Sequence, residues 1–276
     1  MTGQLPTGAC DTHMHIYDSR YAVAPQSVLR PPDATVDQYR RVQTELGLHR
    51  VVVVQPSTYG LDNSCTIDAV AELGNQARAV VVIDDRTTDS EVERLTQLGA
   101  RGARFHMLPG GAVPWEMMPA VSDRIAPFGW HIQLQMNGRD LPDRMPALLA
   151  LPTPLVVDHV GRFMPPVEPD DQEFAALLQL LDTGRCWVKL SAPYESAPDA
   201  THNYRAVSRL VQRLVQHAPE RLLWATNWPH PGQADPLSLA DLLRLASEWM
   251  PDPSIRRRIL VDNPAELYQF EPIASS

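Results

Sequence analysis

Short runs of β-branched and other apolar residues recur along the chain, each followed by a longer stretch in which apolar residues return every three or four positions. The first pattern predicts strands and the second predicts helices. The strand-like runs are residues 10–16, 51–55, 79–83, 103–107, 131–136, 155–160, 187–191 and 222–226. The helical stretches are 35–46, 66–76, 90–98, 114–128, 139–149, 171–181, 204–217 and 238–249, with a last helix over 254–260 before an NPAELY segment. Strict alternation implies parallel strands, because each helix carries the chain back to the same end of the sheet. Eight such units close into an α/β fold of the TIM type, a (β/α)8 barrel, as a single domain over residues 1–276. An open doubly wound sheet competes, but it normally shows a Gly-rich turn after its first strand, and DTHMHIYD has none.

Composition narrows the partners. A hydrophobic fraction of 44% with 21% charged residues is that of a globular chain. The net charge of −9 and scattered arginines argue against nucleic acid. Cys10, Cys65 and Cys186 are far apart and form no C-x-x-C pair, so neither a disulfide framework nor a zinc-cysteine module is expected. The start, MTGQLPTGA, shows no signal-peptide pattern, and no apolar run approaches the ~20 residues of a membrane span. A cytoplasmic protein with no membrane partner is the expectation. The 26 prolines against 14 glycines sit largely in connections such as GRFMPPVEPDD, which suits ordered loops over a barrel mouth.

In a parallel barrel the chemistry gathers at the C-terminal ends of the strands. His13 and His15 end strand one, His106 ends strand four, His159 ends strand six and His230 follows strand eight. His49, His202 and His217 fall elsewhere, and His131 opens strand five at the opposite end. His13 and His15 are two apart and so share a face, as do Arg104 with His106, and Gln133 with Gln135 and Asn137. Any one of these could be a satisfied core polar group. Together at one rim they predict a wet, polar pocket.

The segments DTHMHIYD, QPSTYG, GARFHM, DHVGR and TNWPHP, in that order and over almost the whole chain, resemble the amidohydrolase-related barrels that act on lactones. Among these are the 2-pyrone-4,6-dicarboxylate lactonases, with sulfomuconolactone hydrolase and galactarolactone isomerase nearby. The resemblance implies that His13, His15 and His159 line the site and polarise a lactone carbonyl. It also implies that Ser57, Arg104 and Arg162 bind substrate, carboxylates in particular, and His106 and Gln135 are placed with them as substrate-binding candidates. Two arginines at the rim favour an anionic lactone or another carboxylate as the small-molecule partner.

One position departs from the lactonase pattern. Many relatives read T-D-W-P on strand eight, where the aspartate activates water; here the residue is Asn227, and an amide takes no proton near neutral pH. The isomerase-like relatives read T-N-W-P-H. Two mechanisms follow. In the first, water attacks the polarised carbonyl and His159 or His230 takes its proton. In the second, a substrate hydroxyl replaces water and the lactone is isomerised. Hydrolysis is the leading expectation and isomerisation the alternative. No cofactor is expected; the weaker alternative is a divalent metal such as zinc at His13, His15 and His159. Lys189, the single lysine, raises a Schiff-base aldolase, but a structural or orienting role on strand seven is the better reading. A barrel that binds without catalysis has only Asn227 in its favour.

Overall fold

The computed structural model describes residues 5–197 and 204–271; His202 lies outside them. Its first and eighth helices begin at caps the sequence supplies. Thr35 and Gln38 form a capping box at the start of α1 (Val36–Leu46), and Gly47 at φ 70° ends it. Ser238 and Asp241 form the equivalent box at α8 (Leu239–Trp249). Between them come α2 (Ser64–Leu73), α3 (Asp89–Gln97), α4 (Met118–Ile125), α5 (Leu141–Leu149), α6 (Gln172–Asp182) and α7 (Arg205–His217). Two short helices, α9 (Pro253–Arg257) and α10 (Asn263–Leu267), follow.

The strands are β1 (Cys10–Met14), β2 (Arg50–Val54), β3 (Ala77–Val81), β4 (Ala100–His106), β5 (His131–Gln135), β6 (Leu155–Val157), β7 (Cys186–Leu190) and β8 (Leu222–Trp224). They pair in chain order, every pair parallel, as the alternating pattern predicts for a (β/α)8 barrel. Continuous apolar runs such as Val51 to Val54 arise because both faces are covered. Val52, Val54, Val80, Val156, Trp187 and Leu223 form an inner core, while the alternate residues Val51, Val53 and Val81 join the larger core under the helices. Leu267 at the end of α10, with Tyr268 and Phe270 just after it, belongs to the inner core and floors the barrel.

The seam between β8 and β1 is closed by other means. Thr12 Oγ1 donates to the Trp224 carbonyl at 2.9 Å, Asn227 N to the His13 carbonyl at 2.9 Å, and His15 N to the Trp228 carbonyl at 2.8 Å. The Asp11 carboxylate accepts from Thr226 N at 2.9 Å, Thr226 Oγ1 at 2.6 Å, Tyr39 OH at 2.9 Å and His13 N at 3.2 Å. One buried carboxylate thus ties β1 to the turn after β8. Strands β6 and β8 end earlier than the apolar pattern predicts. After Val157 the chain turns left-handed at His159 and Val160, both at φ 55°, and after Trp224 it is captured by Asp11. Among the described residues no helix is long and apolar enough to cross a membrane.

Candidate active site

His13 and His15 leave β1 on one face and meet edge to face, Nε2 to Nε2 at 3.2 Å. His15 Nδ1 lies 2.8 Å from the Val54 carbonyl, which can only accept, so the proton of His15 sits on Nδ1. His159 stands beside His13 with ring centroids 4.8 Å apart, its Nδ1 2.9 Å from Ser191 Oγ. Burial holds all three imidazoles below the ordinary histidine range, aided at His15 by Arg104 and at His13 by Lys189. They are neutral rings, able to donate through one nitrogen and accept through the other.

Beneath them lies a charged network. Gln133 Nε2 donates to Asp158 Oδ2 at 3.0 Å, and Lys189 Nζ donates to Gln133 Oε1 at 2.6 Å and lies 3.5 Å from Asp158 Oδ1. His13 Nδ1 touches the same group, 3.3 Å from both Asp158 Oδ1 and Lys189 Nζ. Burial raises the Asp158 carboxyl, but the His13 and Lys189 side outweighs it and holds the group well below the usual carboxylate range. Burial pushes Lys189 down to about 8.

A second arm comes from the turns after β7 and β8. Asn227 Nδ2 donates to the Tyr194 hydroxyl at 2.8 Å, and that hydroxyl lies 2.9 Å from His230 Nδ1. Burial keeps the Tyr194 hydroxyl protonated and pushes His230 down to about 4. Asn227 Oδ1 is buried with no hydrogen-bond partner among the described residues. A buried acceptor left open at a polar rim is a place for a ligand donor.

The cations form the third group. Neighbouring strands place Arg104 and His106 of β4 beside Gln135 of β5: Arg104 Nη2 donates to Gln135 Oε1 at 2.7 Å, and His106 Nδ1 lies 3.0 Å from the same oxygen. Arg104 Nη1 is fixed to the Gln55 carbonyl at 2.8 Å, while its Nε is buried and open. Arg162 Nε donates to Glu195 at 2.8 Å in a largely buried ion pair. Ser57 opens the short turn after β2, half-buried and with no side-chain hydrogen bond among the described residues.

Backbone strain marks the same end of the barrel. Non-glycine residues at positive φ include His159, Val160 and Arg162 after β6, Ala192 after β7, and Asn227 and His230 after β8; of those described, only Gln269 lies elsewhere. Left-handed backbone costs an L-residue roughly 1–2 kcal/mol, and such strain concentrates where geometry serves function. Asp158, Ser191, Tyr194 and Glu195 did not stand out in the sequence. Asp158 adjoins His159 in DHVGR, and the other three follow strand seven in SAPYE, so their place at the strand end was the available signal.

Ligand atoms of His13, Asp158 and His159 lie within 4.8 Å of one another, so this group could hold a metal. Imidazole nitrogens and a carboxylate are suitable donors for zinc or manganese.

Parallel strands, strained turns and a buried imidazole cluster at the C-terminal rim define an enzyme built on the (β/α)8 barrel. The chain belongs to the amidohydrolase family, whose model matches residues 10–270. It is similar to the D-galactarolactone isomerase of Agrobacterium fabrum (strain C58 / ATCC 33970), with 38% identity over 99% of this chain and 94% of that one. It is also similar to the 2-pyrone-4,6-dicarboxylate hydrolase of Comamonas testosteroni, with 33% identity over 98% of this chain and 93% of the relative. A crystal structure of an apo protein from Agrobacterium tumefaciens superposes with a TM-score of 0.92 at 38% identity, covering 98% of each chain.

Proposed function

We propose that this enzyme opens a small anionic lactone at a histidine-polarised carbonyl and passes the acyl group to a hydroxyl of the same substrate, so that the lactone is isomerised. The observation that carries this reading is Asn227, an amide with its Oδ1 open, at the rim position where a water-activating carboxylate would stand. Asp158, a carboxylate in contact with the His13 ring, is engaged by Lys189, Gln133 and His13. With an amide at position 227, His159 is a base open to water and to a substrate hydroxyl alike. A substrate hydroxyl held against the carbonyl has the advantage of proximity, which in well-oriented intramolecular reactions is worth about 7–11 kcal/mol.

The residues divide the work. His13 donates an imidazole N–H to the carbonyl oxygen as charge builds on it. His159, whose Nδ1 lies 2.9 Å from Ser191 Oγ, acts as the Nδ1–H tautomer in this reading and uses Nε2 to take the hydroxyl proton and return it to the leaving oxygen. Asn227 Oδ1 accepts from the attacking hydroxyl and orients it. Arg104 and Arg162 bind carboxylate, Arg162 by exchanging Glu195 for the substrate. A divalent ion held by His13, Asp158 and His159 would supply Lewis-acid polarisation of the carbonyl. We favour a metal-independent reaction, because the Lys189 ammonium already balances Asp158.

Hydrolysis is the second reading. It is favoured by His230, an imidazole at the rim that burial keeps neutral and so able to accept a hydrogen bond from water, though a weak base. Incubating the pure protein with a panel of sugar-acid and muconate-type lactones separates the two. Unchanged mass with a changed NMR spectrum supports isomerisation; a gain of a water mass supports hydrolysis.

A further inference from the structure

Lys189 is the chain's single lysine and lies wholly buried on β7 beneath the histidines. Its ammonium meets Gln133 Oε1 at 2.6 Å, His13 Nδ1 at 3.3 Å and Asp158 Oδ1 at 3.5 Å. An ammonium has three N–H bonds and no lone pair, so each of these atoms can bond to it only as an acceptor. His13 Nδ1 also lies 3.3 Å from Asp158 Oδ1, which is itself an acceptor. The ring therefore has two ways to bond. Either Nδ1–H donates to Asp158, or Nδ1 accepts, from Lys189 at 3.3 Å with Gln133 Nε2 also 3.4 Å away, and the proton sits on Nε2.

The far end of the ring bears on the choice. His15 gives its only proton to the Val54 carbonyl at 2.8 Å, so its Nε2 presents a lone pair. With His13 also bare at Nε2, two lone pairs would face each other across 3.2 Å in a buried site. A proton on His13 Nε2 turns that repulsion into a hydrogen bond. We propose that Lys189 donates to His13 Nδ1 and thereby fixes His13 as the Nε2–H tautomer. The result is a directed chain from Lys189 through His13 and His15 to the Val54 carbonyl. Gln133 makes this arrangement possible, because its Nε2 donates to Asp158 Oδ2 at 3.0 Å and satisfies the carboxylate without the imidazole.

Lys189 is thus a positioning residue that acts through His13. Its consequence rests on the reading above: only an Nε2–H, turned from His15 toward the substrate as it binds, can be donated to a lactone carbonyl. The opposite tautomer would offer two lone pairs to a cation, with Nδ1–H directed at a carboxylate in the manner of metal-bound histidines. Lys189 selects the first arrangement over the second.

The test is the position of one proton. Protein labelled with 15N-histidine, stripped of metal and held at neutral pH without substrate, gives long-range 1H–15N correlations for each ring. The His13 signals are those lost in His13→Gln. The expected spectrum shows His13 protonated on Nε2, and Lys189→Met moves that proton to Nδ1. A wild-type His13 protonated on Nδ1 overturns the proposal, as does a Lys189→Met protein that keeps Nε2–H. Should Lys189→Met fail to fold, the wild-type spectrum still decides. The spectrum needs no turnover, so inactivity toward every lactone would refute the proposed function and leave this assignment standing.

Discussion

Asn227 and Tyr194 are locked together, amide Nδ2 to phenol oxygen at 2.8 Å, which turns the open Oδ1 of Asn227 away from Tyr194. The Tyr194 hydroxyl lies 2.9 Å from His230 Nδ1, so the three side chains form one hydrogen-bonded arm of the site. Tyr194→Phe removes the acceptor and leaves a buried amide N–H unpaired, at a cost of about 1–3 kcal/mol. Urea unfolding should show that loss. Steady-state kinetics should show kcat reduced on the order of 10- to 100-fold with KM nearly unchanged, because the arm orients the reacting hydroxyl rather than the carboxylate.

Asn227→Asp places a carboxylate where the amide now stands. A carboxylate can take a proton from water. The ratio of hydrolysed to isomerised product, read by mass and NMR, should rise by about tenfold or more. An unchanged ratio would remove Asn227 from the choice of acceptor.

Arg162 is paired with Glu195 and is free to exchange that partner for a substrate carboxylate. Arg162→Met should raise KM for an acidic lactone on the order of tenfold or more, as loss of a charge-assisted contact predicts, while a neutral analogue changes little. Equal effects on both substrates would sink the assignment.

One buried and one partly buried histidine make the fold sensitive to acid. Burial pushes His106 and His131 down to about 3, so the folded protein leaves them neutral while the unfolded chain protonates them below about 6.5. The unfolded state therefore gains protons first, and stability falls as pH drops from about 6.5 toward 3. At pH 5 the loss is roughly 2 kcal/mol for each. Neither ring nitrogen of His131 has a partner among the described residues. His131→Leu should accordingly shrink the difference in unfolding free energy between pH 7 and pH 5 by roughly that amount.

The barrel was legible because its signals are local: alternating strand and helix periods, and rim positions read from strand ends. The period of two put His13 and His15 on one face, where the structure has them in contact. The network below them was not legible. Asp158 meets His13 across 145 positions and Lys189 meets it across 176, distances over which no local pattern pairs residues. Lys189 read as structural or orienting from its place on strand seven, but its partners emerged only when β5, β6 and β7 were set side by side. The ends of β6 and β8 were misplaced for a related reason. The strand-like runs read to Val160 and Thr226, while left-handed backbone and the Asp11 carboxylate stop the ladder earlier.

The central claim is that a polarised lactone carbonyl is attacked by the substrate's own hydroxyl. It is tested most directly by running the reaction in H218O with a hydroxylated sugar-acid lactone and following it by NMR and mass spectrometry. The account predicts a new lactone of the same mass containing no 18O. Accumulation of an open-chain acid carrying one 18O, with no isomeric lactone formed, would contradict it.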